Sequence, residues 1–165
     1  MRSYTWWVIG LYAFIALYSF HSKRFYRQNI DRLVYYDAMG YYGYLLLWWT
    51  DADQHFTRLK ALPNSNFTIA VKASDEQPVV LNKYSTGFAL LHTPFFWIGD
   101  LQVGWQRLAR DGLAYPYRYW TALGALVYAI LALVLLRAWL RQYCGETATA
   151  VALLGTGVGT NWWHY

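Results

Sequence analysis

Asp37 is the side chain in this sequence whose surroundings most need a chemical explanation. It stands in Val34-Tyr35-Tyr36-Asp37-Ala38-Met39-Gly40-Tyr41-Tyr42-Gly43-Tyr44, a run otherwise aromatic, aliphatic or glycine, and Leu45-Leu46-Leu47-Trp48-Trp49 follows. A carboxylate among apolar side chains is costly unless it is paired, protonated or hydrogen-bonded. Such positions lean toward function, with a structural ion pair as the competing explanation. We expect Asp37 to be a catalytic base. Asp51-Ala52-Asp53-Gln54-His55 is a second cluster. Asp51, Asp53 and His55 could hold a divalent cation, although so short a cluster is more often a solvated turn. Lys83 is the third candidate, near the start of an expected helix. Helix-terminal N–H groups with an ammonium suit a phosphate. The alternative is a lysine snorkelling to lipid headgroups.

The elements that must position these groups are those of a membrane protein. Of 165 residues, 57% are hydrophobic and only 14% charged, which excludes an ordinary soluble domain. Ten Trp and sixteen Tyr suit a membrane–water interface, where amphipathic rings sit at headgroup level. The net charge of +5 fits anionic lipid, and no basic run or recognition motif points to nucleic acid. Cys144 is the only cysteine, so no intramolecular disulfide forms.

Residues 4–20 carry no charge and predict a first transmembrane helix, preferred over a cleaved signal peptide because His21-Ser22-Lys23 is a poor cleavage site. Residues 21–118 hold eight of the nine acids and read as a long extracytoplasmic loop. Within it, interfacial helices are expected near 37–49 and 86–108. In the first, Tyr41, Tyr44, Leu45 and Trp48 recur at helical spacing. In the second, Pro94, Gly99 and Asp100 interrupt the apolar run before it reaches spanning length. Phe67 to Val71 and Val79 to Leu81 suggest a small β-hairpin. Residues 119–136 predict a second span, 137–146 a cytoplasmic loop marked by Arg137 and Arg141, and 147–165 a third span rich in Ala and Gly. The expected fold is thus an all-α integral membrane protein with about three spans.

The order of these features resembles bacterial multi-pass GT-C glycosyltransferases, relatives of the protein mannosyltransferase and aminoarabinose transferase families often grouped as glycosyltransferase family 39. The matching residues are Asp37 after a first span, the Asn82-Lys83-Tyr84 segment running to Pro94-Phe95-Phe96, Asp111-Gly112 leading to Pro116-Tyr117-Arg118, and Gly159-Thr160-Asn161. The resemblance implies a polyprenyl-phosphate-linked sugar as donor, a bacterial cytoplasmic membrane location and a catalytic acid in the first extracytoplasmic loop. It places Asp37 on that acid and Lys83 on a lysine that binds the donor phosphate. Arg118 is a second phosphate candidate, and Tyr36, Tyr41 and Tyr42 would line the sugar or lipid path, with interfacial anchoring as their simpler role. Many relatives carry a second acid where Ala38 follows Asp37 here, and prolines are common near Ser85 and Thr86. No cofactor is expected, and the acceptor is unspecified. The family's usual length implies that this chain is an amino-terminal part, inactive unless a second chain supplies the rest. The alternative is a non-catalytic multi-pass membrane protein in which Asp37 pairs with Arg32 or Lys83.

Overall fold

A computed structural model describes residues 3–22, 37–50, 68–74, 77–82 and 84–159, with the side chains of Asp37 and of most strand residues outside that description. Among these residues are five helices and a two-stranded antiparallel sheet. They are α1 (Thr5–His21), α2 (Asp37–Trp49), β1 (Thr68–Ser74), β2 (Gln77–Asn82), α3 (Gly87–Gln106), α4 (Tyr115–Leu140) and α5 (Glu146–Gly159). The strands pair from Thr68 opposite Asn82 to Ser74 opposite Gln77, with an irregularity between Lys72 and Ser74. The chain divides into two compact units, one of Met1–Asn29 with Ala125–Tyr165 and the other of Ile30–Gly124.

The described fold is helical in character, and one of its helices is long and apolar enough to cross a membrane. That helix is α4, whose 26 residues extend about 39 Å at 1.5 Å per residue. Apolar α1 is shorter, at 17 residues. The bounds of α4 correct the expected 119–136 at both ends. Upstream, the Asp111 carboxylate accepts the N–H groups of Leu113 (2.8 Å) and Ala114 (3.2 Å), turning the chain into the helix. Pro116 then falls in the first turn, where its missing N–H costs nothing. Arg118 therefore lies on the helix and not in the loop that precedes it. Downstream, Arg137 does not stop the helix, because arginine is a good helix former and marks only where charge begins.

The helix expected near 86–108 is present as α3, continuous over 20 residues through Pro94, Gly99 and Asp100. Pro94 forfeits one backbone bond on the exposed side of the helix. Gly99 is a packing notch: a Cβ there would stand 2.9 Å from the Tyr117 backbone. Asp100 accepts the Tyr117 hydroxyl at 2.6 Å. The helix ends at Arg107 in the left-handed conformation, φ 54°. Its N–H reaches the Gly104 carbonyl while that of Leu108 reaches Val103, the paired bonds of a Schellman motif. Glycine is usual at this position, and a side chain there costs about 1–2 kcal/mol.

In the Ile30–Gly124 unit the core gathers Met39, Tyr42, Leu45 and Leu46 of α2, Ala89, Phe96 and Val103 of α3, and Tyr117 at the start of α4. The helix expected near 37–49 is present as α2, and of Tyr41, Tyr44, Leu45 and Trp48, whose spacing predicts it, only Leu45 enters the core. Methionine and leucine enter the core, while Tyr41 and Tyr44 keep half-buried positions from which a phenol can reach polar partners.

In the other unit, Ile9, Tyr12 and Ala16 of α1 pack with Leu133 and Leu153. The start of α1, the end of α4 and the start of α5 meet in a polar knot. Glu146 accepts the Thr5 backbone N–H (2.9 Å) and the Ser3 hydroxyl (2.8 Å), and pairs with Arg141 at 3.1 Å. Arg137 donates to Thr5 Oγ1 and Ser3 Oγ, both at 2.7 Å, and lies over the Trp6 ring. The Thr5 N–H, then the Ser3 and Thr5 hydroxyls and the Arg141 charge, hold the Glu146 carboxyl down at about 2.

Candidate functional site

The candidate residues Asp37, Lys83, Arg118, Tyr36, Tyr41 and Tyr42 all belong by number to the Ile30–Gly124 unit. Asp37 is the first residue of α2, a position where the helix dipole favours negative charge. One turn on, Gly40 is gripped from outside the helix. Asn82, the last residue of β2, donates its side-chain amide to the Gly40 carbonyl at 2.6 Å and accepts the Tyr84 N–H at 3.1 Å. The Tyr44 hydroxyl lies within hydrogen-bonding distance of two backbone carbonyls, those of Asn82 (3.3 Å) and Tyr84 (3.1 Å). The Tyr84 ring lies so close over Gly40 that a Cβ there would overlap it.

Four residues thus fasten the chain between β2 and α3 to the first turns of α2. Tyr44 of α2 reaches carbonyls of the segment leaving β2, while the Asn82 side chain bonds the Gly40 carbonyl of α2 and the Tyr84 N–H. Tyr41 extends the contact, its ring 4.6 Å from that of Tyr84 and 5.8 Å from that of Phe88. Phe88 stacks on His92 at 3.9 Å. Burial pushes the His92 imidazole down to about 4, against a hydrogen bond with the Thr121 backbone, so it is neutral near pH 7.

Lys83 itself lies outside the described residues, as do Tyr36, Asp51, Asp53 and His55; its neighbours Asn82 and Tyr84 are the two residues fastened to Gly40. Beyond them, Thr86 makes no side-chain cap, which leaves the first N–H groups of α3 to other acceptors. Arg118 is half-buried in the first turn of α4 and near enough to Tyr42 to favour its ionised form. Burial outweighs that influence and raises the Tyr42 hydroxyl well above the usual tyrosine range. Tyr42 corrects its expected place beside a sugar or lipid path. It is wholly buried, and its hydroxyl donates to the carbonyl of Gly112, a residue with φ 72°. Tyr42 holds the turn before α4, for which only the core has room.

Among the described residues, no three His, Cys, Asp or Glu side chains are grouped as a metal site would require. Sequence reasoning did not assign roles to Asn82, Tyr84, Tyr44 or Gly40. The available signal was a glycine inside an apolar helix, which marks close approach. Comparison with family models, curated proteins and solved structures gives no match.

Proposed function

We propose that this protein is a membrane glycosyltransferase, or a component of one, acting on a polyprenyl-phosphate-linked sugar at the extracytoplasmic face of a bacterial cytoplasmic membrane. The observation that carries this reading is the fastening of Asn82 and Tyr84 to Gly40. It brings the chain on both sides of Lys83 to the helix that Asp37 opens. Single displacement from a phosphate requires an acid and a cation near one another, and this contact is the support for assigning those roles to Asp37 and Lys83.

In that reaction the acceptor's oxygen or nitrogen attacks the anomeric carbon and passes its proton to Asp37. The bond from that carbon to the phosphate oxygen breaks, and the electron pair leaves on polyprenyl phosphate. Lys83 stabilises the departing anion, with Arg118 as a second cation for the phosphate. Base and leaving group stand on opposite faces of the sugar, so the configuration inverts. Tyr41, half-buried beside Tyr84, remains the tyrosine suited to the substrate path.

The polar knot supports the orientation. Ser3, Thr5 and Glu146 are bonded together where α4 ends among Arg137 and Arg141. The positive-inside tendency puts that end in the cytoplasm, with α1 and α5 starting on the same side and α4 starting outside. This is a multi-pass arrangement. The same fastening also serves a second reading, a non-catalytic membrane protein in which Lys83 neutralises Asp37.

The two readings separate in proteoliposomes with a photoreactive polyprenyl-phosphate analogue. Lys83→Ala is expected to lose most labelling with insertion and melting temperature unchanged. Loss of insertion or stability with unchanged labelling supports the ion pair and contradicts donor binding.

A further inference from the structure

We propose that the outward face of α3 seats the protein on an anionic bilayer leaflet, with Arg107 and Arg110 as its headgroup contacts. This rests on the chain being a membrane protein, and not on sugar transfer. Ala89, His92, Phe96, Gly99 and Val103 line the buried side of α3. On the opposite side, at helical spacing, Leu90, Trp97, Ile98, Leu101 and Trp105 are exposed, Trp105 to 87%. The helix is therefore apolar on both sides, a pattern suited to a protein core or to hydrocarbon and not to water. Its 20 residues include a single charged side chain, Asp100, which accepts the Tyr117 hydroxyl at 2.6 Å and approaches Arg110 at 3.8 Å. Two tryptophans on the outward side match a helix lying at headgroup depth.

The arginines set the kind of lipid. Arg107 is exposed and occupies the left-handed position that ends α3, where glycine would fit without strain. A strained residue that keeps a charge in place points to use of that charge. Arg110 folds back over Gly104, where a Cβ would overlap its guanidinium. Gly104 neighbours Leu101 and Trp97 on the helix surface, so this cation, 62% exposed, stands at the edge of the apolar face. Asp100 approaches Arg110 only at 3.8 Å, and phosphate headgroups supply further anions for both arginines.

The test uses the full chain with Cys144→Ser and a nitroxide on Leu101→Cys, in vesicles of phosphatidylcholine mixed equally with phosphatidylglycerol. Collisions with oxygen are expected to exceed those with a nickel chelate at position 101, and the reverse at Tyr143→Cys, an exposed position after α4. Replacing Arg107 or Arg110 with Gln is expected to lower the preference for phosphatidylglycerol among bound lipids about fivefold each. A water-exposed label at 101 in the inserted chain overturns the proposal, as does spin–spin broadening from a second copy. Unchanged lipid preference in Arg107→Gln with Arg110→Gln overturns the headgroup role. A chain that does not float with vesicles fails the membrane reading itself.

Discussion

The two compact units use polar groups in different ways. In the unit of Met1–Asn29 and Ala125–Tyr165, charged side chains collect at one end of three helices and bond to one another and to a helix start. In the Ile30–Gly124 unit, neutral side chains grip backbone carbonyls: Asn82 that of Gly40, Tyr44 those of Asn82 and Tyr84, and Tyr42 that of Gly112. The first pattern fixes which helix ends meet. The second fixes the course of the chain at Asn82 and Tyr84 against the first turns of α2. A charged knot is sensitive to pH and salt, whereas a neutral clamp is sensitive to shape.

Shape is the more costly thing to disturb. Leu45→Ala, at the fully buried centre of the second unit, is expected to lower stability by about 2–5 kcal/mol, measured by denaturation in detergent. Gly40→Ala puts a methyl group where the Tyr84 ring lies, and is expected to cost about 1–3 kcal/mol while moving Tyr84. Asn82→Ala leaves the Gly40 carbonyl and Tyr84 N–H without their partner, at about 1–3 kcal/mol, and is expected to reduce donor labelling more than Leu45→Ala at equal residual stability. Equal labelling in those two variants would contradict a positioning role for the Asn82 clamp as distinct from the core that surrounds it.

The charged knot gives the pH-dependent counterpart. The Glu146 carboxyl is held at about 2, below its ordinary 4.5. Its stabilisation is therefore complete above about pH 4.5 and is lost as pH falls toward 2. Melting temperature followed across that window should fall in the wild-type chain by more than in Glu146→Gln, and identical slopes would show the knot to be inert. The smallest effect is a gain. Arg107→Gly relieves a left-handed side chain and is expected to add about 1 kcal/mol of stability while weakening phosphatidylglycerol binding.

Helices were the legible part of this chain, because apolar runs and i, i+3, i+4 spacing are local properties. The start of α2 at Asp37 and the continuous apolar character of α4 could be read directly. Boundaries were less so. Arg137 marks the end of the charge-free run but not of the helix, because arginine extends helices, whereas the helix expected near 86–108 is close to α3 as found. Which face of α2 is buried is not legible in its spacing, because tyrosine is apolar by composition but places its hydroxyl at the edge of a core. The clamp was hidden for a different reason. Asn82 to Gly40 joins positions 42 residues apart through a side chain and a carbonyl, and no periodicity in the sequence records such a bond.

The central claim is that Asp37 works as a base beside the fastened Lys83 segment, and its most direct measurement is sugar transfer from a polyprenyl-phosphate donor in membranes carrying the chain. Asp37→Asn is expected to abolish transfer while donor labelling, insertion and melting temperature stay at wild-type values. Transfer by Asp37→Asn at the wild-type rate would contradict the claim.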